Sequence, residues 1–191
     1  MKNQMKSQMK KISFVVAAFS LVASASVMAR PAISYNYAGV QYVDQDVDDY
    51  DCSQDGLRVY GSFELNSDFF ALGSFSDVSG GGCGSQAISA GLGYQTLFGA
   101  DSSIYGTVSF ENISPDYGSS DSGVVVAGGL RGFINNDLEA KVELAHHTVG
   151  DGNTVLGGGV AYWFQPNMSV TGDLGLGTEA SEIALGLRVN F

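Results

Sequence analysis

The chain has 191 residues, and its 20 Asp and Glu outweigh its 9 Lys and Arg to leave a net charge of −11. Four of the basic residues (Lys2, Lys6, Lys10, Lys11) crowd the start, so the stretch after Ala29 keeps five and carries 5 − 20 = −15. That balance excludes nucleic acid as a partner, because phosphate binding needs clustered Lys or Arg.

The first segment reads as a secretory signal peptide. A basic start is followed by an apolar run from Ile12 to about Val22 and by small residues up to Val27-Met-Ala29. The run is short for a membrane helix, which needs about 20 apolar residues. Cleavage is expected after Ala29, with Ala25 as the alternative. The division is therefore 1–29 signal peptide and 30–191 one domain, the latter of 191 − 29 = 162 residues.

Beyond residue 29 the pattern is all-β. Ten segments bounded by Gly, Pro, Asn, Asp or Ser read as strands. They run over Ile33–Val43, Gly56–Leu65, Phe69–Val78, Gln86–Leu97, Ser103–Ile113, Gly123–Phe133, Leu138–Val149, Thr154–Phe164, Met168–Leu176 and Glu182–Phe191. Leu57, Val59 and Phe63 alternate with Arg58, Tyr60, Ser62 and Glu64. The same period of two recurs in Ile104–Glu111, Leu138–Leu144, Met168–Leu174 and Ile183–Phe191, with an apolar face opposite a polar, partly charged one. Ile33–Val43 and Phe69–Val78 carry aromatics on both faces, and their outward side is not assigned by pattern.

Short turns at Asn66–Asp68, Phe98–Ser102, Ile134–Asp137 and Gln165–Asn167 alternate with longer connections such as Asp44–Asp55 and Ser114–Ser122. Asp68, Asp101, Asp137 and Asn167 recur at spacings of 33, 36 and 30, and Gly-Leu-Arg recurs at Gly56, Gly129 and Gly186. Strands of about ten residues with charges on one face suit an antiparallel up-and-down transmembrane β-barrel of ten strands, with eight as the alternative. A soluble sandwich would leave the charged face and the two kinds of connection unexplained. Tyr94, Phe98, Phe133, Trp163, Phe164 and Phe191 lie near short turns and are expected at the lipid interface.

The C-terminal strand resembles that of small Gram-negative outer-membrane β-barrel proteins, the broad OmpA/OmpX-like group. In that group the barrel-assembly machinery reads a polar residue, a Gly two places on, and hydrophobic residues third-last and last. Gly186, Val189 and Phe191 match, and Ala184 departs from the polar position. The resemblance spans the signal peptide and residues 33–191 as a pattern, and carries no catalytic motif. It implies an outer-membrane location with long loops outside and termini periplasmic. Its implied partners are membrane lipid, lipopolysaccharide and the assembly machinery.

Candidate sites follow. Cys52 and Cys83 fall in adjacent long connections, and an even count in an exported chain favours a disulfide. Closing their separation of 83 − 52 = 31 residues would stabilise by roughly 3–4 kcal/mol in the chain-entropy model. Asp44, Asp46, Asp48, Asp49 and Asp51 offer oxygen ligands for a divalent cation, but the spacing is not an EF-hand, and a solvated acidic loop is the plainer reading. The expected lumen charges are Arg58, Glu64, Glu111, Arg131, Glu139, Lys141, Glu143, Asp173 and Arg188. Such groups either pair into a plugged core or line a thin water path favouring cations. The resulting expectation is a non-enzymatic barrel with an envelope-structural, surface-interaction or narrow cation or solute-pore role, and no cofactor. The alternative is an enzyme acting on lipid A or peptides through His147 or His146.

Overall fold

The computed structural model describes residues 33–47, 52–81, 83–99, 101–178 and 180–191. The expected signal peptide, Asp48, Asp49 and Asp51 lie outside these residues. Alternating side chains become ten antiparallel strands: β1 (Tyr37–Val47), β2 (Cys52–Glu64), β3 (Phe69–Gly80), β4 (Ser85–Leu97), β5 (Ser102–Pro115), β6 (Asp121–Phe133), β7 (Leu138–His147), β8 (Asn153–Gln165), β9 (Met168–Gly177) and β10 (Ala180–Asn190). Each pairs with its sequence neighbour, and β1 pairs with β10 from Tyr37↔Asn190 to Val47↔Ala180. The sheet closes on itself. Closure leaves no strand edge unpaired, which is what a sheet needs to cross hydrocarbon. The strand count is ten, and the eight-strand alternative falls.

Leu57, Val59, Val108, Val126, Leu130, Val142, Leu144 and Ile183 are exposed on the outer wall, while Arg131, Glu139, Thr107, Thr171 and Arg188 are buried inside. An apolar exterior around a polar interior inverts the order of a soluble domain and matches a transmembrane barrel. The two ambiguous strands are now oriented. Val40 and Tyr42 of β1 are exposed, while Tyr35, Gln41 and Val43 are buried; in β3, Phe69 and Phe75 are exposed and Phe70 and Val78 buried. Pairing in β1 and β3 is continuous, so no bulge switches their faces. A register shift falls instead at Trp163/Gln165 between β8 and β9.

Two expectations need correction. The first strand begins at Tyr37, and residues 33–36 precede the ladder. The long connections are mostly strand: β1 and β2 stay paired as far as Val47↔Cys52, so Asp44 and Asp55 face each other across a ladder, not within a loop. The connections left at that rim are 48–51, 81–84, 116–120, 148–152 and 178–179, scarcely longer than 65–68, 98–101, 134–137 and 166–167 opposite. Gly, Asp and Ser suggested loops there, but strands of 13 or 14 residues such as β2 and β5 exceed the 9–11 or so that span hydrocarbon, and their tips project beyond it. We call this the disulfide rim, because Cys52–Cys83 ties the start of β2 to the connection after β3. The opposite, terminal rim holds residues 33–36 and Phe191.

Two turns at the terminal rim use one chemistry. Asn66 Oδ1 accepts the N–H groups of Asp68 and Phe69, both at 2.9 Å, and Asn135 Oδ1 accepts those of Asp137 and Leu138, also at 2.9 Å. An Asn side chain that substitutes for a backbone acceptor is what makes Asn-x-Asp a tight turn. Two of the four turns in the hairpin repeat, those at Asp68 and Asp137, use this device.

Candidate functional site

The interior of the barrel gathers the residues that can do chemistry. Three of the charges come from the Gly-Leu-Arg repeat. In each copy Leu57, Leu130 or Leu187 is exposed outside, while Arg58, Arg131 or Arg188 turns inward to a carboxylate. The glycine beside each arginine shares its inward face, and at Gly56, Gly129 and Gly186 a Cβ would press on neighbouring backbone atoms. Inward glycines also make room for rings: a Cβ at Gly93 would sit 2.1 Å from the Phe70 ring, and one at Gly39 would sit 2.5 Å from Tyr60.

Near the terminal rim, Glu139 (β7) lies between two guanidiniums. Arg131 Nε donates to its Oε1, and Arg188 Nη2 donates to Oε2 at 2.6 Å. Arg131 lies over the rings of Tyr35 (5.0 Å) and Tyr37 (5.4 Å), and Arg188 over those of Tyr37 (5.4 Å) and Trp163 (4.7 Å). One carboxylate serves two cations here, and the aromatic faces supply the remaining compensation. Trp163, only 3% exposed, and Phe133, whose ring meets it at 6.3 Å, are therefore lumen residues; the expectation of lipid-interface anchors fails for both. They do lie near turns, but parity along β6 and β8 turns them inward. Phe164 is half-buried, whereas Tyr94, Phe98 and Phe191 are exposed.

The segment ahead of β1 folds into this end. Tyr35 stacks on Phe70 with ring centroids 4.3 Å apart, meets Tyr105 edge-on at 6.2 Å, and its hydroxyl lies 2.8 Å from Ser103 Oγ. Glu64 holds the segment. It accepts the Tyr35 N–H at 2.7 Å and Asn36 Nδ2 at 3.1 Å, while its own N–H donates to Asn36 Oδ1 at 2.8 Å. Arg131 Nη1 donates to Ser34 O at 2.9 Å.

Further in, Lys141 Nζ is 3.1 Å from Asp173 Oδ1, and Gln41 Nε2 donates to Asp173 Oδ2 at 2.5 Å. The Tyr105 hydroxyl donates to Glu143 at 2.7 Å. Toward the disulfide rim, Arg58 forms a two-pronged pair with Glu182, both contacts at 2.5 Å. Gln45 donates to the same carboxylate, and Gln54 donates to Gln45 at 3.0 Å. Val43, Val78 and Ala184 form a small buried apolar cluster on β1, β3 and β10. His147 Nδ1 lies 3.0 Å from Glu111 Oε1, while His146 lies beside Thr154 at 2.9 Å. The two histidines thus occupy opposite faces of β7.

Glu182 and Tyr35 were missed in the sequence. Glu182 shares the parity of Arg188 and was readable from it. Tyr35 falls within the expected strand Ile33–Val43, and nothing local marks a residue that precedes the ladder and fills a lumen. Asp44 and Asp46 occupy β1 near the disulfide rim, and among the described residues no three His, Cys, Asp or Glu side chains gather to hold a metal ion.

Solved structures place this geometry among known folds. A KdgM porin in complex with disordered oligogalacturonate superposes with a TM-score of 0.50 at 12% identity, over 81% of this chain and 99% of that one. An outer-membrane channel from Pseudomonas putida F1 gives 0.51 at 12% identity, over 88% and 100%. The chain has the fold of an outer-membrane β-barrel. No protein-family model and no curated protein matches its sequence. At such identities the likeness establishes architecture, while an assignment to the OmpA/OmpX-like group in particular finds no specific support.

Proposed function

We propose that this chain is a non-enzymatic integral outer-membrane barrel with a sealed polar core, serving envelope support and surface interaction. One observation carries the reading: every Lys and Arg among the described residues (Arg58, Arg131, Lys141, Arg188) is ion-paired within the lumen. Side chains spent on one another hold the wall together and leave little fixed charge to conduct a solute. Ser103 and Ser169, fully buried in the lumen near the terminal rim, support the same reading. In this arrangement the disulfide rim faces outward and the terminal rim faces the periplasm. Acids along β1 and β2 then meet lipopolysaccharide, with divalent ions as bridges; unchanged mobility of this hairpin in millimolar Ca²⁺ contradicts that part.

In planar bilayers the purified protein is expected to give no sustained current. Steady single-channel steps would overturn the seal and favour a second reading, a narrow cation or solute pore. The porin and channel folds above motivate that reading, as does the excess of lumen acids: Glu64, Glu111, Glu139, Glu143, Asp173 and Glu182 outnumber the four bases. That excess suits a cation, whereas the acidic oligosaccharide held by the KdgM porin is a polyanion. An enzymatic use of the histidines gains no support from the site, since His147 is tied to Glu111 and the Thr148 hydroxyl accepts the Val124 N–H at 2.8 Å. His147→Ala is expected to leave lipid A composition and surface proteolysis unchanged.

A further inference from the structure

We propose that Ser34 and Tyr35 form a displaceable plug, and that lifting Tyr35 out of the terminal rim opens a narrow cation path through the barrel. This rests on the sealed-core reading. The seal here is not built by the wall alone. Ser34 and Tyr35 belong to the chain ahead of β1 and are held by side chains of three different strands: Glu64 of β2 and Ser103 of β5 bond Tyr35, and Arg131 of β6 bonds the Ser34 carbonyl and lies over the Tyr35 ring. No rung of the β1 ladder has to break for it to leave. Asn36, whose carbonyl accepts the Phe191 N–H at 3.2 Å, anchors the segment to the end of β10 and forms the natural hinge.

Tyr35 is also the keystone of the aromatic cluster. It meets Phe70 on β3 and Tyr105 on β5, two rings that reach each other through it. Phe70 and Tyr105 stand on strands separated by β4.

The closed state is incompletely satisfied. Ser62 Oγ, Trp163 Nε1, Ser169 Oγ and Arg188 Nε are buried without a hydrogen-bond partner among the described residues. They form one neighbourhood: Trp163 is opposite Ser169, Ser169 is opposite Arg188, and Tyr37, beneath Arg188, is opposite Ser62. Buried polar groups without partners disfavour the state that contains them. Water admitted by withdrawal of Tyr35 would satisfy them, which brings open and closed states toward balance. The lumen beyond holds six carboxylates against four cationic side chains, so the ion admitted is a cation.

Conductance of the full chain in planar bilayers with KCl tests this, alongside fluorescence of Trp163, the single tryptophan. Wild type should be silent with Trp163 shielded from aqueous Cs⁺. Tyr35→Ala should raise open probability about tenfold or more, the effect of losing one or two average hydrogen bonds, with cation-selective steps and Cs⁺ quenching of Trp163. Glu64→Gln keeps every ring while weakening the latch, and it is the test where Tyr35→Ala does not yield heat-modifiable, folded protein. A silent, folded variant with Trp163 still shielded overturns the plug and leaves the sealed core intact, and anion-selective steps overturn the cation path. Sustained current through wild type overturns the sealed core itself.

Discussion

Glu139 sits between Arg131 and Arg188, and its replacement is the most informative single change in the lumen. Glu139→Gln removes the charge that both guanidiniums share and leaves two buried cations to be compensated by aromatic faces and the Ser34 carbonyl. Breaking a buried ion pair by removing one partner costs about 3–5 kcal/mol. We expect a loss of that size in urea unfolding of the protein folded into lipid vesicles; a change within about 0.5 kcal/mol, typical of surface sites, would show that the network is incidental. Much of this site was legible. Alternation alone turns Arg131, Glu139 and Arg188 to the polar face, because parity is local. Which charge meets which is not local: it depends on the level each strand reaches in the barrel, and that is set by pairing register across all ten strands. For the same reason Trp163 could be located near a turn but not assigned to the inside.

The terminal strand shows what an element-scale pattern can and cannot say. Ile183, Leu187, Val189 and Phe191 are exposed outside and Ala184 and Arg188 buried inside, as the alternation from Ile183 to Phe191 implies. Its partner β1 resisted reading for a physical reason. Aromatics serve two purposes in this barrel, lying against lipid at Tyr42 and filling the terminal mouth at Tyr35 and Tyr37, so both faces of one segment carry them. β3 repeats this with Phe69 outside and Phe70 inside. The strand tips misled in the opposite direction, because Gly, Asp and Ser beyond the hydrocarbon look like loop although the backbone continues to pair. At this scale two outcomes are expected. Deletion of Phe191 should impair barrel assembly while leaving export intact, and normal outer-membrane levels of the truncated protein would refute the terminal signal. Reduction of Cys52–Cys83 should lower stability by roughly 3–4 kcal/mol in the chain-entropy model; equal thiol titration before and after reduction would contradict the bridge.

At the scale of the whole molecule the arrangement is an inside-out protein. Lipid replaces water as the solvent of its Leu, Val and Phe wall, and most of the polar groups, which no lipid can satisfy, satisfy one another within. That single inversion accounts for the paired lumen cations, the inward glycines that admit rings and the exposed apolar band. It also yields a measurement that separates this account from any soluble β-protein. Val108 lies mid-strand in β5 and is 56% exposed on the outer wall. In water, Arg at such a position would change stability by no more than about 0.5 kcal/mol. At the middle of a bilayer the same change costs about 2–4 kcal/mol. Equilibrium unfolding of Val108→Arg in lipid vesicles should show the larger loss, and a variant as stable as the parent would contradict the membrane-spanning barrel.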